Sequence, residues 1–186
     1  MTNETPQPDT VIDLPEGNSK LMQIRPAMPE DRLRISTLIA RTYGGAGAAT
    51  IALASALREL EGAQEWVGTG GEVLDGYGLL LPLPLKNNTK ATYALLAPLA
   101  INAKAPEFFD KVNFVRQICF EMKKKAAGVI VIGDINQFSE MNFVPASKHN
   151  VSLPAEIAAP EQVLLFPLEK DNLPAGELEL PSILLG

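Results

Sequence analysis

The sequence predicts an α/β domain in which helices cover one mixed sheet. Three observations carry this expectation. Strand-like and helix-like segments follow one another as strand, helix, helix, three strands, helix, strand, helix and two strands. The run "VIVI" at 129–132 is apolar at every position, as in strands buried on both faces of a sheet. Apolar residues make up 46% of the 186 positions against 20% charged, which suits a single domain with a true core.

Taken in order, residues 1–20 are polar, acidic and proline-bearing, and are expected to form a flexible tail. A domain is expected over 21–169, followed by a C-terminal tail, 170–186, that docks on it. "LMQIRP" reads as a first strand. "PEDRLRISTLIARTY" reads as a helix, with Pro29, Glu30 and Asp31 at its positive end and Ile35, Leu38, Ile39 and Thr42 on one face. After "GGAG" at 44–47, "AATIALASALRELEG" forms a second helix with Leu53, Leu57 and Leu60 on one side and Gly62 as its stop. "AQEWVGTG" and "VLDGYGLLLPL" read as strands around a glycine-rich turn. "TYALLAPLAI" is a long apolar strand, and its Pro98 removes one ladder donor, so a bulge or splayed edge is expected there. From Val112 the steps Val115, Cys119, Met122 and Ala126 are helical, with Gly128 as the expected stop. Asp134 and Gln137 have the spacing of a capping box for a short helix. "NFVPA" and "EQVLLFPLE" are the last two strands.

Several function classes are disfavoured. The net charge of −6 argues against nucleic-acid binding. The run "KKK" at 123–125 is expected to be a solvated last turn of a helix. No apolar stretch reaches the roughly 18–20 residues that span a bilayer, and the first residues lack the basic and apolar regions of a signal peptide. A cytoplasmic location with no membrane partner is therefore expected. The single cysteine, Cys119, lies on the apolar face of a helix and reads as core rather than nucleophile. His149, the only histidine, has no cluster around it, so no metal is expected. "GTGGEV" at 68–73 lacks the Gly-Lys-Ser/Thr ending of a phosphate loop and reads as a hairpin turn.

Four segments together resemble one family. "IRPAMPEDRLRISTLIARTYG", "GYGLLLPLPL", "LLAPLAIN" and "KKKAAGVIVIGDINQFSEMNFVPA" are similar, in order and spacing, to the GNAT superfamily of N-acetyltransferases, in a bacterial branch of predicted acetyltransferases. The likeness covers roughly residues 21–168. It implies a GNAT-like mixed central sheet flanked by helices in a single domain, with acetyl-CoA as cofactor and an amine as acceptor. By this resemblance, main-chain groups of Leu99, Ala100 and Ile101 on the fourth strand would face the thioester. Lys111, Asn113 and Phe114 at the start of the third helix would lie at the pyrophosphate.

Two departures from the family pattern shape the expectation of function. The family's loop, Q/R-x-x-G-x-G/A, uses glycines to bring backbone N–H groups against the phosphates. Here "FFDKVNFV" at 108–115 has none. Phe109, Lys111 and Asn113 fall near the glycine positions, and Asp110 replaces a cation. A carboxylate beside a pyrophosphate in a partly dry site costs on the order of a few kcal/mol. In the short helix, Gln137 and Phe138 stand where the family carries tyrosines, one of them the general acid. Trp66, Phe108, Phe109 and Phe114 line a pocket or pack the core, and Phe108 and Phe109 are candidates to fill the cofactor cleft. Two function classes follow: a GNAT-fold protein that is non-catalytic or weakly active, and an acetyl-CoA-dependent N-acetyltransferase of a small-molecule or protein amine. A small molecule, a protein, or a second copy of the chain in a homodimer all stay open as partners.

Overall fold

The computed structural model describes residues 22–70, 73–169 and 172–185; the expectation for residues 1–20 lies outside them. Seven strands form one sheet in the order β1-β2-β3-β4-β5-β8-β6. These are β1 (Gln23–Pro26), β2 (Gln64–Thr69), β3 (Leu74–Leu85), β4 (Asn88–Ile101), β5 (Gly128–Ile132), β6 (Val144–Pro145) and β8 (Val163–Pro167). Every neighbouring pair is antiparallel except β4 and β5, which are parallel. A second, two-stranded sheet joins β7 (Val151–Ser152) to β9 (Gly176–Glu177).

The described residues also form four α-helices: α1 (Arg32–Tyr43), α2 (Gly47–Arg58), α3 (Lys111–Phe120) and α4 (Ile135–Phe138). Alternation along β3 sorts the core onto two faces. Tyr77, Leu79, Leu81 and Leu83 pack with Ile35, Leu38 and Ile39 of α1 and with Ala54 and Leu57 of α2. Leu80 faces the other way, with Phe114, Val115, Ile118 and Cys119 of α3. Glycines clear that second face. Gly68 and Gly76 are direct cross-strand partners. A Cβ on either would lie 2.7–2.9 Å from the rings of Phe109 and Phe114, and one on Gly78 would lie 2.7 Å from Ile118. So α3 drops into a trough that side chains would fill.

Two local expectations are corrected. The third helix ends at Phe120, and Gly128 is the first residue of β5. Between them, Met122, Lys123 and Lys125 donate N–H groups three residues back, a tight turn that holds the exposed "KKK" outside the helix. Gly128 is needed for close packing, because a Cβ there would lie 2.5 Å from Leu165 and 3.0 Å from the Phe166 carbonyl. The Asp134 carboxylate caps Asn136 N–H at 2.9 Å, where the spacing pointed to Gln137; Gln137 N–H donates instead to the Asp134 main-chain carbonyl at 2.9 Å. Asp31 stands at the start of α1, as expected, and is buried there. It accepts two hydrogen bonds from Arg25 of β1, at 2.6 and 2.9 Å, and one from Met28 N–H at 2.9 Å.

After β8, residues 173–180 return to the domain. Leu178 bridges Leu85, Leu178 and Leu180 are buried, and the Tyr93 hydroxyl donates to the Pro174 carbonyl at 2.8 Å.

Candidate functional site

β4 and β5 pair over only two positions, Ala94 with Val129 and Leu95 with Ile130. Beyond them β4 runs on to Ile101 beside β3 alone. The cause lies at Ala97 and Pro98. Proline has no N–H, and the register with β3 shifts there, from Leu80–Leu96 to Gly78–Leu99. The Ala97–Pro98 peptide is cis. The bulge re-aims the rest of the strand, as Pro98 led us to expect.

Past the bulge, Asn102 N–H donates to the Asp75 carbonyl at 2.8 Å. Antiparallel alternation then directs the main-chain groups of Ala100 at β3 and those of Leu99 and Ile101 away from it, towards the gap. The end of α1 confirms this direction. Tyr43 donates its hydroxyl to the Leu99 carbonyl at 2.8 Å, and Thr42 approaches the Ile101 carbonyl at 3.4 Å. Burial holds the Tyr43 phenol above its ordinary pKa. Of the three tyrosines, it is the one whose hydroxyl meets this edge. Tyr77 bonds Glu65, and Tyr93 bonds the C-terminal segment.

The start of α3 is closed on itself. Asp110 is the N-cap, and its Oδ1 accepts Asn113 N–H at 3.0 Å while its carbonyl accepts Phe114 N–H at 2.9 Å. One of the free donors that make a helix start an anion site is therefore taken, by a group that is itself anionic. Lys111 and Asn113 are exposed, whereas Phe114 is fully buried. Phe109 is buried too, its ring 5.8 Å from that of Phe114 over Gly68 and Gly76. It seats the loop on β2 and β3. Phe108 is 42% exposed, and its ring lies against Gly70, where a Cβ would be 2.2 Å away. Both rings thus lie against glycines on the β2–β3 side of the sheet. In α4, Phe138 folds back on Gly133 and stacks edge-on to Phe143, while Gln137 is exposed. Cys119 is buried, and burial pushes its thiol well above the ordinary value.

A concave pocket of about 850 Å³ opens at the C-terminal end of β4. Arg41 and Thr42 of α1, Asp75 of β3, and Ile101, Asn102 and Lys104 contribute to its walls, as do Val73 and Phe108. Sequence reasoning missed Arg41, Tyr43, Asp75 and Asn102. The only available signal was a polar residue, Asp75, directly before the glycine-rich part of an apolar strand. Among the described residues no cluster of His, Cys, Asp or Glu suits a metal, and no helix is long and apolar enough to cross a membrane.

No protein-family model matches the sequence, and no curated protein matches it. Solved structures do match. The chain is similar to the GNAT family N-acetyltransferase YhbS of Escherichia coli in complex with CoA, with 22% identity and a TM-score of 0.71 over 89% of this chain and 93% of that one. It is also similar to a GNAT family acetyltransferase of Brucella melitensis in complex with acetyl-CoA, with 16% identity and a TM-score of 0.64 over 87% and 97%. A third match is a GNAT family acetyltransferase of Staphylococcus aureus Mu50, with 11% identity and a TM-score of 0.58 over 80% and 99%. The chain has the GNAT fold.

Proposed function

We propose that this chain uses the GNAT fold as a ligand-binding module and turns over acetyl-CoA weakly or not at all. The observation that carries this is the Asp110 carboxylate on Asn113 N–H. A pyrophosphate at this helix start would have to displace a bonded carboxylate and then sit beside it. Both steps oppose binding. The residues therefore do not fit the diphosphate in the manner of a glycine-rich helix start. α4 agrees: Asn136, Gln137 and Phe138 bring no titratable donor to the gap.

A second function, acetyl-CoA-dependent N-acetyl transfer to a small-molecule or protein amine, is favoured by a different observation. The gap between β4 and β5 is retained, with main-chain groups of Leu99 and Ile101 along it and the Tyr43 hydroxyl at its edge. The solved structures with CoA and acetyl-CoA have the same fold.

Calorimetric titration of the full chain with acetyl-CoA and with desulfo-CoA separates the two. We expect no binding heat from either at the highest soluble concentration. Micromolar binding of both would overturn the first function and make an acceptor screen the next step.

A further inference from the structure

We propose that the pocket at the end of β4 binds a small organic monoanion, a carboxylate carried on an apolar body. This deepens, and rests on, the interpretation of the chain as a binding module. The volume, about 850 Å³, falls within the range of roughly 300–1,000 Å³ typical of small-molecule sites.

One wall rests on a buried carboxylate. Asp75 is almost wholly buried, and both its carboxylate oxygens are occupied: Oδ2 accepts Gly70 N–H at 3.0 Å and Oδ1 accepts the Asn102 side-chain amide at 2.9 Å. Asn102 in turn accepts Lys104 N–H at 3.0 Å on its Oδ1 and Ala105 N–H at 3.0 Å on its carbonyl. These bonds tie the β2–β3 hairpin to the loop after β4. The pocket is shaped before any ligand arrives, which lowers the ordering cost of binding. With its oxygens used in this way, Asp75 is committed to the scaffold.

The charges on the walls set the ligand's head group. Arg41 and Lys104 line the pocket from opposite elements, α1 and the loop after β4. Neither makes an ion pair among the described residues. Against the one carboxylate among the described lining residues they leave a single positive charge, which matches a monoanion better than a phosphate dianion. Arginine also presents a planar fork that fits a carboxylate. The rest of the wall sets the body of the ligand. Val73 and Phe108 are exposed apolar side chains, and Ile101 and Pro106 continue the surface. An exposed aromatic face beside two cations that make no ion pair among the described residues suits an amphiphilic anion.

The test uses the full chain with phenylacetate and octanoate as probes, and with phenylacetamide and octanamide as neutral isosteres, read by ligand-observed NMR. We expect the acids to bind and the amides to bind at least about tenfold more weakly. Arg41→Gln and Lys104→Gln, both at exposed positions, should each weaken the acids by about tenfold with the melting temperature unchanged. Phe108→Ala should weaken acids and amides alike. Equal binding of acids and amides would overturn the proposal. So would unchanged acid binding in the double charge variant, or no acid binding at all. Acetyl-CoA titrated in the same series separates the two proposals. Micromolar acetyl-CoA binding alongside acid binding removes the binding-module function and keeps the pocket, whereas silence from the acids and from acetyl-CoA removes the pocket alone.

Discussion

The carboxylate of Asp110 holds the amide of Asn113 at 3.0 Å and so closes the first turn of α3 with a negative charge of the chain's own. This relationship stands where a CoA-binding GNAT protein would need an open, positive helix start. It leads to the first prediction.

Asp110→Gly should open the helix start, and Asp110→Asn should keep the cap while removing the charge. N-cap rankings put the glycine variant within a few tenths of a kcal/mol to ~1 kcal/mol of the parent, and the asparagine variant closer still. Acetyl-CoA binding, measured by calorimetry, should be stronger in both than in the parent. Binding that stays absent in Asp110→Gly would show that Asp110 is not the obstacle.

Gly68→Ala and Gly76→Ala should each destabilise the domain by roughly 1–3 kcal/mol, because the new Cβ drives into the rings of Phe109 and Phe114. Gly45→Ala is the control. It has open space and no left-handed φ, so it should be neutral or gain up to about 1 kcal/mol by restricting the unfolded chain. Urea denaturation compares all three. Equal stability of Gly76→Ala and Gly45→Ala would refute the trough that seats α3.

Asp31 should make the domain acid-sensitive. The hydrogen bonds from Arg25 are the main reason its carboxyl is held down at about 2, with Met28 N–H and the nearby guanidinium charges adding and burial opposing. A depressed carboxyl contributes stability above its ordinary pKa, and the contribution is lost as pH falls towards the folded value. The window is therefore from about pH 4 down to about pH 2. The contribution is roughly 1–2 kcal/mol, discounted because the Arg25 side chain is about a third exposed. The stability difference between the parent and Asp31→Asn should be large at pH 7 and shrink across that window. A difference that does not change with pH would rule out the ion pair as its source.

Leu178→Ala should cost about 2–5 kcal/mol, as for a fully buried core leucine. Tyr93→Phe removes only the hydroxyl bond to Pro174 and should cost ~1 kcal/mol. Thermal melts that leave Leu178→Ala unchanged would mean that residues 173–180 are not part of the cooperative unit.

Much of the fold was legible because it depends on short-range pattern. Ile35, Leu38 and Ile39 mark the buried stripe of α1, and Val115, Cys119 and Met122 mark that of α3 and the turn after it. "VIVI" became β5, with Val129, Ile130 and Val131 buried and Ile132 exposed at its end. Pro98 signalled the bulge through its missing N–H. Gly128 misled, because a glycine after a helical pattern looks the same whether it ends a helix or admits Leu165 beside a strand. The capping spacing of Asp134 and Gln137 misled because spacing does not say which amide the carboxylate takes, and here it takes Asn136 N–H.

The candidate site was legible in part. Composition alone revealed that the α3 loop has no glycine and carries Asp110, while the bond from Asp110 to Asn113 had to be seen. The pocket could not be foreseen at all. Arg41, Asp75 and Lys104 lie on three elements with no local motif between them, and only the closure of β2, β3, β4 and α1 brings them together.

The amino-acid sequence by itself determined the order of the elements, the faces they bury and the residue types of the α3 loop and α4, because these follow from spacing and residue type along the chain. The tertiary structure alone decided where Phe108 and Phe109 pack, which main-chain groups of β4 face the gap, and that Tyr43 and Thr42 reach them. Those outcomes depend on contacts between residues as much as 59 positions apart, and no local propensity encodes them.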